Sequence, residues 1–240
     1  MKREKREVNG FLILNKPVGI TSNRALQTVK RLFNAKKAGF VGTLDPFASG
    51  MLPICFGKAT KQAEALHQHP KTYIATLQLG TATNTGDTEG EVIAQCPTPP
   101  LNLEQIKAYL PEFTGVIQQI PPMFSALKKD GKPLYQLARQ GIEVERPPRE
   151  VTVYALEALD YNNGILRFKV QSSKGLYVRV LAEDLAKKLG SCGHLIALYR
   201  QECAGFNEAA MVTLTHLQNH PHPPDDLLMS LSCPPIASVC

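Results

Sequence analysis

One carboxylate stands between glycines in Gly42-Thr43-Leu44-Asp45-Pro46-Phe47-Ala48-Ser49-Gly50. Glycine tolerates backbone angles that other residues avoid and lets a ligand come close to the chain. Lys36 and Lys37 lie just upstream, so the segment reads as a loop able to present a single carboxylate to an anionic ligand. The competing reading is a plain turn, because an Asp before Pro readily bonds its own backbone.

The neighbouring segments must position that loop. Gly10-Phe-Leu-Ile-Leu14 is a short apolar run closed by Asn15-Lys16-Pro17, which predicts a strand and a turn. Ser22 stands where a helix N-cap belongs, and Ala25, Leu26, Val29, Leu32 and Phe33 follow at helical spacing, with Arg24, Lys30 and Arg31 on the opposite face. Residues 35–50 predict a long loop, and a loop of that length between ordered elements usually carries function. Further on, the pattern predicts strands at 51–56, 71–79, 91–95, 114–120, 150–160 and 164–172, and helices at 58–66, 102–110, 133–140 and 177–189. Residues 80–90 read as a polar loop. The mixture lacks regular β-α-β alternation, which places the chain in the α+β class.

At 240 residues with 43% hydrophobic and 20% charged residues, the chain can bury a substantial core and is not of disordered composition. The net charge of +6 is uneven: residues 1–37 hold ten Lys/Arg and two acids, whereas 38–240 hold 17 and 19. A local positive field of this kind suits a polyanion. No apolar run of about 18 residues and no signal peptide is visible, so a cytoplasmic location is expected. Six scattered cysteines without a C-x-x-C pair predict free or buried thiols. His67-x-His69 and Cys192-x-His194 lack a paired half-site, so no metal site is expected. Gly57-Lys58-Ala59-Thr60 fails as a phosphate loop, because six residues rather than four separate Gly50 from Gly57 and Ala59 replaces the hydroxyl. Residues 211–240 have no Lys or Arg and five prolines, and they read as an irregular tail too short for a second domain.

Five segments, taken in order, resemble the bacterial TruB family of tRNA pseudouridine-55 synthases. They are Leu14-Asn-Lys16-Pro17-x-Gly19-x-Thr21-Ser22, the 42–53 segment through Met51-Leu52-Pro53, Lys71-x-Tyr73, Pro121-Pro-Met-Phe-Ser125-Ala126-Leu127-Lys128, and Ser173-Lys174-Gly175-x-Tyr177-x-Arg179. The likeness spans about residues 8–206. It implies a pseudouridine synthase fold with a mixed, largely antiparallel sheet and flanking helices. Residues 1–210 would form the catalytic domain, 121–149 a mobile RNA-binding segment and 211–240 a tail in place of the RNA-binding PUA domain of longer members.

The resemblance further implies that Asp45 attacks the sugar or removes its 2′ proton, that Arg179 pairs with Asp45, and that Tyr73 stacks on the uracil and assists loss of the C5 proton. Tyr177 and Leu198 would complete the base pocket. Lys16 would support the site or meet a phosphate, and Lys128 and Lys129 would track the T-stem-loop of tRNA. Phe40 stands where many members have a His that props flipped nucleotides; it keeps a stacking face and loses a hydrogen bond. The implied enzyme works as a monomer with no cofactor, no obligate protein partner and no membrane. The rival readings are a non-catalytic tRNA-folding chaperone or binding module, and a guide-RNA-directed enzyme.

Overall fold

The computed structural model describes residues 4–221 and 223–231. Lys2, Arg3, Cys233, Pro234, Pro235 and Cys240 lie outside the described residues. The fold is mixed α+β with mostly antiparallel sheet pairing, and the chain divides into two compact units, Met1–Tyr73 with Leu198–Cys240, and Ile74–Ala197.

The first unit begins with β1 (Gly10–Lys16), α1 (Ser22–Leu32), β2 (Ala38–Phe40), β3 (Ser49–Phe56), α2 (Ala63–Gln68) and the start of β4 (Lys71–Leu79). β1 pairs antiparallel with β3 from Gly10↔Phe56 to Lys16↔Gly50. Both strands are almost wholly apolar and buried, as a strand covered on two faces must be. α1 lays Ala25, Leu26 and Val29 inward as its spacing predicts. Each large apolar side chain buried this way contributes about 1.5–3 kcal/mol. Residues 35–50 are not all loop: β2 pairs antiparallel with β3 through Phe40↔Ile54, because the edge of β3 offers it a ladder.

The second unit continues with β5 (Thr81–Thr83), β6 (Val92–Gln95), α3 (Leu103–Tyr109), β7 (Gly115–Gln119), β8 (Lys128–Lys129), β9 (Lys132–Pro133), α4 (Leu134–Ala138), β10 (Arg149–Asn162), β11 (Ile165–Ser172), α5 (Val178–Lys188) and β12 (Gly193–Cys203), whose end returns to the first unit. β10 pairs antiparallel with β11 on one side and β7 on the other. α3 carries a reciprocal cap between Asn102 and Gln105.

Two expectations need correction. Cys96 and Cys192 form a disulfide across a sequence separation of 96, with Cα atoms 5.6 Å apart. The sequence gives no hint of this, because the two cysteines are brought together by hydrogen bonds of Gly80 to Cys192 O (2.8 Å) and from Cys96 N (3.0 Å). Cys55 and Cys203 are free and buried, as read. Secondly, the described part of 211–240 is built into the first unit. β13 (Met211–Thr213) runs parallel to β1, α6 (Leu214–Asn219) follows, and Met229 and Phe11 exchange backbone hydrogen bonds of 2.8 and 2.9 Å. β1 would otherwise expose an unpaired edge beside its buried face. Among the described residues no helix is long and apolar enough to cross a membrane.

Candidate active site

In the first unit the loop that carries Asp45 is fastened on both sides of it. Ser22 is not the N-cap of α1; Thr21 is, accepting from Arg24 N at 3.1 Å. The Ser22 hydroxyl is turned inward, where it donates to Leu44 O and accepts from Leu44 N, both at 2.8 Å. On the other side, Pro46 O accepts from Gly19 N at 2.8 Å and from Lys16 Nζ at 3.4 Å. Lys16 is fully buried and also donates to Pro17 O and Ile20 O at 2.9 and 2.8 Å. Of its two considered roles, this placement favours loop support. The Asp45 carbonyl accepts from Ala48 N at 3.1 Å, so the turn chemistry of Asp-Pro is present in the backbone.

Arg200, in the part of β12 that belongs to this unit, went unnoticed in the sequence and proves central to the loop. Its side chain is 1% exposed, and its fork donates from Nε to Met51 O at 2.7 Å and from Nη2 to Gly42 O at 2.8 Å. Gly42 has φ +69°, and a Cβ there would come within 3.1 Å of Arg200 Nη1. A glycine is therefore favoured by conformation, and a side chain there would also crowd the guanidinium. Arg200 also reaches Tyr73, which is buried on β4. Burial pushes the Tyr73 phenol up, while the charge and hydrogen bond of Arg200 pull it down and the nearby Asp45 carboxylate raises it. At neutral pH Tyr73 is accordingly a phenol in this state, fit for stacking. Leu198 is buried on β12, and Phe40 is partly exposed at the end of β2.

The second unit holds the remaining candidates. Arg179 lies in the first turn of α5, 3% exposed, and donates to Thr85 O at 2.5 Å and Phe124 O at 2.8 Å. Its Nε stands 3.6 Å from Asp87 Oδ2. Asp87 in turn accepts from the Thr85 hydroxyl at 2.6 Å and from Glu89 N at 2.9 Å. Of 80–90, which composition marks only as a polar loop, Thr81–Thr83 is strand β5 paired with β6, and the turn that follows it is a mount for Arg179. Gly86 shows why α5 can approach: at φ +73°, a Cβ would fall 2.3 Å from Glu183 Oε1 and 3.4 Å from Arg179 Cβ. Tyr177 is clasped by the Gln119 amide, with Tyr177 N donating at 2.8 Å and Tyr177 O accepting at 3.2 Å. Lys128 and Lys129 are exposed on a two-residue ladder with β9. Among the described residues no cluster of three or more His, Cys, Asp or Glu could hold a metal ion.

Asp87→Asn keeps the shape of this mount and removes its charge, leaving the Arg179 guanidinium buried without that carboxylate. It is expected to lower unfolding stability by about 2 kcal/mol, read as a drop in denaturation midpoint, and to reduce turnover. An unchanged midpoint would show that the Asp87 charge is not needed to hold Arg179.

Residues 30–178 match the TruB family pseudouridylate synthase (N terminal domain), and residues 179–230 match the tRNA pseudouridylate synthase B C-terminal domain. The chain is 51% identical over 217 residues to tRNA pseudouridine synthase B of Dechloromonas aromatica (strain RCB), covering 90% of this chain and 72% of that one. To the protein of the same name from Neisseria meningitidis serogroup B it is 50% identical over 218 residues, covering 91% and 71%. Among solved structures it is similar to a chain of a Cbf5-Nop10-Gar1 complex, with a TM-score of 0.68 and 30% identity over 86% of this chain and 52% of that one. A chain of an H/ACA RNP bound to a substrate RNA containing 2'-deoxyuridine gives a TM-score of 0.64 at 26% identity, over 86% and 51%. The chain thus spans about half the length of these two solved chains. It belongs to the TruB family of pseudouridylate synthases.

Proposed function

We propose that this protein isomerises uridine-55 in the T loop of tRNA to pseudouridine in the cytoplasm, acting as a monomer on a flipped base. The observation that carries the reading is the double anchoring around Asp45: Leu44 is held by Ser22 and Pro46 by Gly19 and Lys16, which fixes a carboxylate between two immobilised residues. A non-catalytic module would have no use for that precision, and this favours an enzyme over the chaperone reading.

In the proposed reaction the N1–C1′ bond breaks, the uracil turns in its pocket, a C5–C1′ bond forms, C5 loses its proton and N1 gains one. There is no net redox change, so the chemistry asks for no electron carrier. Asp45 either bonds to the sugar and leaves again, or takes the 2′ proton and returns it. Arg179 would supply the counter-charge that keeps the carboxylate ionised. Tyr73, Tyr177 and Leu198 would form a flat, mostly apolar slot of the kind a flipped base needs, with Phe40 stacking on displaced nucleotides. For Tyr73 to accept the C5 proton, its phenol must come down from the raised position that burial gives it, and the adjacent Arg200 is the group that lowers it. Residues 1–210 are proposed to carry the catalysis, and 121–149, with Lys128 and Lys129, to close over the T-stem-loop.

The test is incubation with an unmodified tRNA transcript and mapping of pseudouridine along it. One modified position in the T loop is expected. Modification elsewhere, or binding of the transcript without any product, would overturn the reading.

A further inference from the structure

A second feature of the first unit faces the same substrate class. At the C-terminal end of α1 there is a cavity of about 410 Å³ lined by Lys5, Gln27, Lys30, Arg31, Asn34 and Ala35. Every charged group that lines it is a cation. It is a built feature. Asn34 takes the left-handed conformation, φ 49°, that ends helices. Its side chain donates to Glu4 O at 2.7 Å, its carbonyl accepts from Arg6 N at 2.8 Å, and Lys36 N donates to Arg6 O at 2.9 Å. These bonds lay residues 4–6 along the helix end and bring Lys5 beside Lys30 and Arg31. Arg6 is itself held by a two-pronged ion pair with Asp225.

The acids nearest in the chain do not line the cavity, and Glu7 is occupied by Lys36 at 2.9 Å. Lys5, Lys30 and Arg31 have no ion-pair partner among the described residues. Helix-end cations are ordinarily explained by the helix dipole. That accounts for Lys30 and Arg31, but not for a third cation delivered by a separate segment into the same hollow. Arg24, Gln27 and Arg31 recur at 3–4 residue spacing on exposed positions of α1, which contains no acidic residue. They make a cationic and amide stripe running from the cavity toward the Ser22 end, where the helix is tied to the Asp45 loop.

We infer that this cavity is a phosphate subsite for the RNA backbone, one helix length from the catalytic loop. The inference rests on the reading of RNA as the substrate and adds a location to it. Eleven helical residues span about 16 Å. That distance is several phosphates along one strand, so the contact falls on the backbone away from the reacting uridine.

The experiment compares T-stem-loop RNA binding by the full chain and two double variants across a salt series, with pseudouridine formation followed in the same preparations. Lys30→Gln/Arg31→Gln removes two charges from the cavity. Lys58→Gln/Lys61→Gln removes two exposed charges elsewhere in the same unit. The cavity variant is expected to reduce the slope of log affinity against log salt by about 0.9, one phosphate contact, and the other variant to leave it unchanged. A free-anion arm adds inorganic phosphate at constant ionic strength; it should weaken RNA binding by the wild type more than by the cavity variant.

An unchanged slope in the cavity variant, or an equal drop in both variants, overturns the subsite, as does phosphate competition that the cavity variant retains. If the wild type makes pseudouridine while the slope fails to respond, the subsite alone falls. If it neither binds the RNA nor makes product, the substrate reading has failed and the subsite falls with it.

Discussion

Asp45→Asn is expected to bind tRNA with near wild-type affinity and to form pseudouridine at least about 10³-fold more slowly, since proton abstraction by a placed base contributes 10²–10⁴-fold and nucleophilic attack has no substitute at all. The side chain keeps its size, so the effect isolates ionisation. The backbone on either side of the carboxylate has its own anchors: Leu44 is held by Ser22, Pro46 by Lys16 and Gly19, and the Asp45 carbonyl accepts from Ala48 N. Single-turnover mapping of pseudouridine against a direct binding titration separates the two quantities. Turnover within tenfold of the wild type would remove Asp45 from the chemistry, while loss of binding would make it a positioning residue for RNA.

The chemistry-bearing residues that sequence alone exposes are those with a local signature. Asp45 is framed by glycines, and α1 is written in the spacing of Ala25, Leu26, Val29 and Phe33, all of which are buried. Groups whose role depends on a distant partner are not legible in the same way. Asp87 sits in a polar stretch that composition marks as a turn, and only the arrival of Arg179 from α5 gives it a function. The Cys96–Cys192 bond and the pairing of β13 with β1 are likewise contacts across long separations, which no window of local pattern records. Arg200 is the instructive case. Read singly, an Arg is a surface charge, yet Leu198 and Arg200 are both buried and two residues apart on one strand. Strand periodicity puts both on the inward face. A charge at a core register position is a signal that it has carbonyls to hold.

That role makes Arg200 the second large effect. Arg200→Met removes the fork and leaves Met51 O and Gly42 O buried without its donors, each such loss costing about 1–3 kcal/mol, so a destabilisation of roughly 3–5 kcal/mol is expected from chemical denaturation. Arg200→Lys is the sharper probe. It keeps the charge that pulls the Tyr73 phenol down, but a single ammonium cannot reproduce the planar fork that joins β3 to the glycine preceding the catalytic loop. The carboxylate would still be present and ionised, on a loop that keeps its anchors at Leu44 and Pro46 and loses the one at Gly42. Misplacement of a reacting group by about 1 Å costs on the order of 10²-fold, so kcat is expected to fall by about that factor, while KM, set largely by RNA contacts elsewhere, moves little. Full activity in the lysine variant would mean that Asp45 is positioned without the fork and that Arg200 serves stability alone. A matched loss of kcat in both variants, with stability lost only in the methionine one, would establish the fork geometry, rather than the charge, as what aims the carboxylate.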